Sequence, residues 1–349
     1  SNNAAFRLIS LATGVKSTPN DDLKRSQGKI LHDCHAEILA MRGMNRVLLE
    51  HVKKLKSSGA LETDLIVKSS SNETYQLKPV WKLALYISAL PCGDASMYPL
   101  SKDEFPRGEN NQEICIRDDD SIQFVKDGNT TTLRGRMNYR KLGVTRTKPG
   151  RIDSIITLSK SCSDKLCLKQ ATSVVNAINW SLISPPIFLD YLVVPSKDYC
   201  CNDLTESFHN RLNTTFSVPL EILTCSKSFV DEKRHNDQEP RPMSSIKLFF
   251  DLPYLLPVEQ AILNGLKNGF YTRGTKPLRK NCESIVSRYS QWKYFRTFGP
   301  DKTKQTYLEF KKSQCGRRKM IDEVKKLLSP DGWISTMEDD AKDDSENLQ

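Results

Sequence analysis

Apolar residues recur close to the helical period in a long segment that runs from about His35 to Lys56. The apolar positions in this segment are Ile38, Met41, Val47, Leu48, Val52 and Leu55. Gly59 follows the last of them, as is typical of a helix C-terminus. The pattern therefore predicts a long helix with one buried face.

Several shorter apolar runs, rich in β-branched and aromatic residues, predict buried strands. A first strand is expected within residues 5–16, and further strands at 80–90, 152–158, 187–195, 218–223 and 246–250. Helices are expected from residue 162 to about 183, and at 203–212, 257–267, 282–298 and 303–328. Strands that alternate with helices, followed by a helical C-terminal part, indicate an α/β fold.

The segment His35-Ala36-Glu37 opens the long predicted helix. Zinc-dependent nucleobase deaminases carry a His ligand, one intervening residue and a Glu that does not bind the metal, followed by P-C-x-x-C. The spacing has a chemical reason, because the metal lowers the pKa of a bound water toward ~7 and the adjacent carboxylate can move its proton. This motif alone is weak, since a His at a helix start is more often a cap or a surface residue.

The second half of the signature lies at the end of the strand predicted over residues 80–90, where the chain continues with Pro91-Cys92. A thiol at the start of the next helix is readily deprotonated. Ala95 stands where P-C-x-x-C has its second Cys, whereas a catalytic zinc needs three protein ligands. Cys162 is the best candidate for the third ligand, because it also follows a predicted strand and begins a predicted helix.

Three segments carry a resemblance to a known family: D-C-H-A-E-I at 33–38, P-C-G-D-A-S at 91–96 and S-C-S-D-K at 161–165. Together they resemble the adenosine deaminase domain shared by double-stranded-RNA editors and tRNA-specific adenosine deaminases. The resemblance runs from about Thr13 to Trp333. It implies a cytidine-deaminase-like, three-layer α/β sheet with helices on both faces, extended by a helical C-terminal part.

The resemblance also implies a reaction, which is the hydrolytic deamination of adenosine to inosine. Zn²⁺ would be held by His35, Cys92 and Cys162, with Glu37 as the catalytic proton carrier. The tRNA enzymes are the closer match, because this chain shows no separate double-stranded-RNA-binding domain. The implied target is the adenosine 3′ of the anticodon in alanine tRNA.

Further residue roles follow from the resemblance alone. It implies inositol hexakisphosphate buried near the zinc and bound by Arg42, Lys165, Lys169, Arg288, Tyr307, Lys311, Lys319 and Trp333. Contacts with the substrate are implied for His32 and Ser96, and His32 replaces an Asn of the editing enzymes. Lys16 is expected near the mouth of the site, as either a phosphate contact or a plain surface lysine. Asp33, Lys165 and Arg136 would form a charged chain between the inositol phosphate and the zinc.

The distribution of charge agrees with a polyanionic partner such as RNA. The 349 residues carry a net charge of +10, and residues 267–326 alone contain seventeen basic and five acidic residues. We expect one deaminase domain over residues 1–336, with a zinc core at about 1–225 and a basic part at about 244–336. Residues 337–349 are acidic and are expected to form a disordered tail.

Cysteine content and hydropathy indicate where in the cell the protein is located. With ten cysteines and no export signal, we expect reduced thiols and an intracellular location, in the nucleus, the cytoplasm or both. No run approaches the ~20 apolar residues of a membrane span. The expected partner is tRNA, and neither a membrane nor an obligate protein partner is indicated. The chain does not begin with Met, and an early element of the sheet is expected to precede it.

Three alternatives remain open from the sequence. The first is a deaminase of free nucleosides or of another RNA, against which Ala95 and the basic C-terminal region count. The second is a catalytically inactive RNA-binding module, although such proteins lose the Glu or a ligand and this chain retains both. The third is a purely structural zinc site, in which Glu37 would have no role.

Overall fold

The computed structural model describes residues 6–97, 124–136, 141–148, 155, 157–230, 243–272, 274, 276–299, 306–336 and 339–342. The first elements are β1 (Ser10–Thr13), β2 (Val15–Ser17), α1 (Asn20–Leu23), β3 (Asp33–His35), α2 (Ala36–Ser58), β4 (Ile66–Lys68), β5 (Tyr75–Leu77) and β6 (Ala84–Tyr86). The middle of the chain contains β7 (Phe124–Asp127), β8 (Thr130–Arg134), β9 (Arg146–Thr147), α3 (Cys162–Thr172), α4 (Ala177–Trp180), β10 (Tyr191–Pro195), α5 (Cys201–Thr205) and β11 (Glu221–Cys225). The last elements are β12 (Met243–Leu248), β13 (Val258–Leu263), β14 (Leu266–Lys267), α6 (Arg288–Arg296), α7 (Tyr307–Ser313) and α8 (Cys315–Leu328).

The helix α2 lies at the centre of the main core. Its buried face includes Leu39, Leu49 and Val52, which are fully inaccessible to solvent. It packs against β1 and β12, and the approach is close because a Cβ at Gly43 would lie 2.1 Å from Oγ of Ser10. The amphipathic pattern of the sequence thus buries the face of α2 that meets the sheet.

Two main sheets confirm the α/β fold. One is antiparallel, in the order β1-β12-β13-β14, and the other is parallel, in the order β11-β10-β6. In the parallel sheet Val193 lies between Tyr86 and Leu223, so the carboxyl ends of three strands share one edge. Beyond this edge the chain after β6 leads to Cys92, and open α/β sheets place their sites at such edges.

The C-terminal helices add an aromatic layer to the core. Trp292, Phe295 and Phe310 pack together with ring centroids 5.2–5.7 Å apart. The helix α8 packs against α3, which begins at Cys162. The helical C-terminal part is therefore built onto the same core as the deaminase motifs. None of the helices described here is long and apolar enough to cross a membrane.

Several predicted elements differ from the structure. The helix expected at 303–328 is divided into α7 and α8 at Gln314, and most of the strand expected at 152–158 lies outside the described residues. The strand predicted over residues 80–90 is confined to β6, and Val80 is 77% exposed. The helix expected from residue 162 to 183 is broken at Ser173, whose φ is 156°. The helix expected at 257–267 is instead the hairpin β13–β14, because Asn264 and Gly265 form its turn with φ of 49° and 80°.

Part of the predicted acidic tail is folded. Tyr307 N donates to the carbonyl of Ala341 at 2.9 Å, and Leu308 N donates to Oδ1 of Asp340 at 2.9 Å. Residues 339–342 therefore cap the start of α7 rather than forming the disordered tail expected there. The rest of 337–349 lies outside the described residues, and so does most of the insertion between Cys92 and Cys162.

Candidate metal centre

The first metal donor, His35, lies where β3 becomes α2. It is the last residue of β3, which pairs with β2 in the register Val15↔His35, and it occupies the N-cap position of α2. Its backbone N donates to Oδ1 of Asp33 at 3.1 Å. The backbone of His35 is therefore held by two elements at once, while the residue remains partly accessible.

The two cysteine donors are brought together by a close contact between their loops. Cys162 is the first residue of α3, and Ser161 caps that helix by accepting from Asp164 N. Cys162 N donates to Sγ of Cys92 at 3.3 Å. Gly93 permits this approach, since its φ is 104° and a Cβ there would lie 2.3 Å from Oγ of Ser161.

His35, Cys92 and Cys162 offer one donor atom each, and these atoms all lie within 4.8 Å of one another. The hydrogen bond from Cys162, with nearby Lys148 and His35, lowers the pKa of Cys92 well below its ordinary value. Burial and the negative charge of Cys92 raise the pKa of Cys162. A thiolate beside a thiol and an imidazole is a donor set suited to zinc, which binds both sulfur and nitrogen.

A buried lysine that the sequence analysis missed completes the charged chain beside these donors. Lys148 Nζ donates to both oxygens of Asp33 at 2.8 and 2.7 Å and to Sγ of Cys162 at 3.0 Å. Lys165 also pairs with Asp33. Burial alone would raise the pKa of Asp33, but Lys148 and Lys165 hold it well below its ordinary value. Arg136, which was predicted to belong to this row of charged side chains, is exposed. The buried cation that contacts both Asp33 and Cys162 is Lys148 instead.

A second buried network ties the two cysteine loops together. Arg146 is fully buried, its Nε donates to Oδ1 of Asp94 at 2.9 Å, and its backbone N donates to Oδ2 of Asp164 at 2.9 Å. Arg211 pairs with the other oxygen of Asp164 at 2.8 Å. Each of the two aspartates follows a cysteine donor by two residues, so this network holds the two cysteine loops against each other.

Glu37 lies in the first turn of α2, two residues after His35 and outside the group of three metal donors. It is partly exposed, as a group that meets a substrate must be. Of the predicted substrate residues, Lys16 is exposed on β2 opposite Cys34. Ser96 donates to the carbonyl of Gly93 at 3.1 Å in the turn after Cys92.

His32 has a different environment from the one expected for a substrate contact. Its Nε2 lies 2.8 Å from Oδ2 of Asp339, in the folded part of the tail. Burial lowers the pKa of His32 although the hydrogen bond to Asp339 opposes the change. Nothing in the sequence linked these two residues, because they are far apart along the chain.

Most residues predicted to bind inositol hexakisphosphate are partly buried near one another. Arg42, Lys165, Lys169, Arg288, Tyr307 and Trp333 are partly buried, while Lys311 and Lys319 are exposed. The guanidinium of Arg288 lies 5.4 Å from the ring centroid of Tyr307. Nη1 of Arg288 is buried without a hydrogen-bond partner among the described residues.

This group of cations has few anions to balance it. Burial, together with Arg317, Arg42 and Lys165, lowers the pKa of Lys169 to about 7. Burial likewise lowers the pKa of Arg42, and Arg288 adds to the effect. Buried like charges are costly unless paired with anions. The cluster therefore fits a compact polyanion.

Three members of this cluster were missed from the sequence. Arg317 is partly buried and affects Lys169, and Lys160 and Lys325 approach the Trp333 ring at 5.6 and 5.9 Å. Burial lowers the pKa of Lys160 to about 8. The only signal in the sequence was the general density of basic residues near the C-terminus.

An α/β sheet that brings one imidazole and two thiols together beside a free carboxylate has the site of a nucleobase deaminase. Residues 10–327 match the family model of the adenosine-deaminase (editase) domain. The chain therefore belongs to this family of deaminases.

Individual relatives agree with this assignment. A tRNA-specific adenosine deaminase 1 of Saccharomyces cerevisiae is 47% identical over 340 residues, which cover 97% of this chain and 82% of the relative. The proteins of the same name from Schizosaccharomyces pombe and Mus musculus are 32% and 35% identical, and each alignment covers 94% of this chain and 85% or 86% of the relative. A double-stranded RNA-specific adenosine deaminase of Mus musculus is 33% identical over 94 residues only, which cover 27% of this chain.

Proposed function

We propose that this protein is a zinc-dependent enzyme that deaminates adenosine to inosine in tRNA. The observation that carries the proposal is the convergence of His35, Cys92 and Cys162 within 4.8 Å, with Glu37 beside them but outside the donor set. A structural zinc site would close with a fourth protein ligand, whereas a catalytic one keeps that position open. The free carboxylate favours catalysis over a structural role.

Bound by these three donors, zinc supplies Lewis-acid activation of water. Glu37 would accept one proton of the attacking water and pass it to the adenine ring nitrogen, and would then carry the second proton, from the hydroxyl added at C6, to the amine, which leaves as ammonia. The backbone of His35 is held by Asp33 and by the register of β3, so the position from which its ring extends is fixed before metal and substrate arrive. Lys148 donates to Cys162 and Asp33, which places a positive charge behind the thiolates.

The substrate class rests on the relatives and on charge. Relatives that cover most of the chain are named tRNA-specific adenosine deaminases, and the chain carries a net charge of +10. The target adenine must leave its stack to reach a metal at the carboxyl edge of a sheet. Within tRNA, the family resemblance favours the adenosine 3′ of the anticodon in alanine tRNA.

The cation cluster around Lys169 is the proposed site of inositol hexakisphosphate. Arg42, Lys169, Arg288 and Arg317 would bind its phosphates, with Lys311 and Lys319 closing the site from the surface. The low pKa of Lys169 supports a resident anion, and so does Nη1 of Arg288, which is buried without a hydrogen bond and lies no nearer than 3.8 Å to the carboxylate of Asp339. The role of this anion is structural, because it neutralises charges that would otherwise repel one another inside the fold.

The deciding experiment compares the wild type with Glu37→Ala on total tRNA, followed by mapping of inosine. The wild type should produce inosine, and the variant should lose activity by about 10²-fold or more while retaining its zinc. Glu62→Ala is a matched control, since Glu62 is an exposed surface residue that pairs with Lys78. A wild-type protein that binds zinc yet forms no inosine in any tRNA would refute the proposal.

A further inference from the structure

Six lysines and arginines lie on and around the segment that follows β13, which contacts the loop leading into β3. We define this group as the basic flank, which consists of Lys29, Lys267, Lys276, Arg279, Lys280 and Lys293. Lys29 and Lys293 both approach the ring of Tyr289, at 4.9 and 5.9 Å, and Tyr289 N donates to the carbonyl of Gly28 at 2.8 Å. Residues 264–283 contain five basic residues and one acidic residue.

The basic flank is held by a small hydrophobic core of its own. Leu23, Ile30, Leu266 and Cys282 form this core, and Phe270, Tyr271 and Leu278 pack against it. Arg25 donates to the carbonyls of Thr272 and Lys276, at 2.5 and 2.6 Å, and therefore fixes the course of the loop. The cations are thus presented by a folded element, which lowers the entropy cost of binding a ligand.

The charges of the basic flank are not balanced by nearby carboxylates. In the part of the chain that the structure describes, no ion pair is formed by any of its six residues. The neighbouring Asp21 and Asp22 are already paired with Lys24 and Arg25. Elsewhere on the surface, Lys78 and Lys82 lie 3.0 and 3.1 Å from carboxylates.

The basic flank is directly joined to the segment that carries His35. Leu31 N donates to the carbonyl of Gly265 at 2.9 Å, four residues before the metal donor. Gly265 allows this contact, because its φ is 80° and a Cβ there would lie 2.6 Å from the carbonyl oxygen of Leu31. The segment that carries the flank is therefore fixed to the loop that ends four residues before the first metal donor.

We propose that the basic flank is a docking surface for the phosphate backbone of the RNA substrate, next to the nucleotide that enters the site. The inference rests on the proposed tRNA deamination and adds the surface that holds the substrate outside the pocket. Phosphates suit this surface because they are anions repeated along a chain, whereas a single carboxylate would balance only one of six cations. Its contacts position the substrate and carry no sequence information.

The test neutralises three exposed members of the flank in one variant, Lys276→Gln, Arg279→Gln and Lys280→Gln. The control variant removes three positive charges elsewhere, with Lys54→Gln, Lys56→Gln and Lys82→Gln. Lys54 and Lys56 lie near the far end of α2, about 25–30 Å along the helix from Glu37 at 1.5 Å per residue. Both variants and the wild type are compared for zinc content, for binding of unmodified tRNA at several salt concentrations, and for inosine formation.

The flank variant should bind tRNA about tenfold or more weakly near physiological salt, and its plot of log Kd against log salt should be shallower by about three. At saturating tRNA its turnover and zinc content should equal those of the wild type, so the defect lies in KM. The control should lose little affinity. Equal affinity and salt dependence for the flank variant and the control would overturn the inference.

The two proposals fail in different ways. If the wild type forms no inosine in tRNA, the proposed function fails. If the wild type deaminates tRNA but loss of the three flank charges leaves KM and the salt slope unchanged, only the docking surface fails.

Discussion

The side chain of Arg146 connects two parts of the metal centre that are far apart in the sequence. It is fully buried and bonds Asp94 through its side chain and Asp164 through its backbone. Because these aspartates follow Cys92 and Cys162 by two residues each, Arg146 controls the distance between the two thiols. Its role is to position the donors, since it does not belong to the donor group itself.

Replacing Arg146 by Met should therefore weaken metal binding. The change leaves Asp94 buried without its cation and should cost about 3–5 kcal/mol of unfolding free energy. The metal should also be lost to a chelator at lower concentration, in protein that circular dichroism shows to be folded. Arg46→Met is the matched control, because Arg46 is also buried and ion-paired, to Glu50 on α2, away from the donors. If both variants release metal alike, Arg146 acts through general stability only.

Single residues were predictable where chemistry fixes their spacing. His35, Glu37 and Cys92 belong to a known signature, and Cys162 followed from the need for a third donor. Lys148 was not predictable, since lysine is a common surface residue and only the folded chain brings it to Asp33 and Cys162. Arg136, chosen instead, is exposed.

At the scale of elements, the folded piece of the tail links the C-terminus to the segment before His35. Oδ2 of Asp339 accepts from Ser26 Oγ at 2.7 Å and lies 2.8 Å from Nε2 of His32, and Oδ1 accepts from Gly28 N at 2.6 Å. One buried carboxylate thus satisfies three groups of the loop that leads into β3. A local count of acidic residues predicted disorder here, because it could not include these distant partners.

Removing residues 339–349 should lower the unfolding free energy by about 2–4 kcal/mol, because three hydrogen bonds to a buried carboxylate are lost. Removing only 343–349 preserves those contacts and should change stability by less than about 0.5 kcal/mol. Chemical denaturation of the two shortened proteins measures the difference. Equal midpoints would show that Asp339 does not stabilise the loop.

Elements with a strong pattern were predicted well, and elements governed by turns were not. The helix α2 was placed within two residues of its observed ends, since its apolar period and Gly59 are explicit in the sequence. The hairpin β13–β14 was mistaken for a helix, although Asn264-Gly265 is a typical hairpin turn. The strand at 80–90 proved shorter, because an apolar run does not reveal how many of its residues form hydrogen bonds with a neighbouring strand.

For the whole molecule, the cation cluster links ligand binding to pH-dependent stability. The pKa of Lys169 is lowered to about 7 by burial and by Arg317, Arg42 and Lys165, whereas an unfolded lysine titrates near 10.4. Between these values the unfolded chain binds more protons than the folded one, so stability should rise with pH. A bound polyanion favours the charged lysine and should abolish this dependence.

Protein stripped of inositol phosphate should therefore gain up to about 2 kcal/mol of unfolding free energy through Lys169 between pH 7 and pH 9. Urea denaturation at the two pH values measures the gain, with and without added inositol hexakisphosphate. Lys169→Met isolates the contribution of this lysine, because the variant cannot titrate at that position. A gain that is equal in the wild type and the variant, or that persists with the ligand bound, would contradict the prediction.

The dispersion of the cluster along the chain has a consequence for biosynthesis. Its basic members run from Arg42 to Lys325, whereas the three metal donors lie between His35 and Cys162. A nascent polypeptide still attached to the ribosome therefore contains all three metal donors well before the last cations of the cluster have been synthesised. If the cluster holds the proposed inositol phosphate, this anion can be bound only when translation is almost complete, and a cell short of it would accumulate chains that are finished in sequence but immature in form.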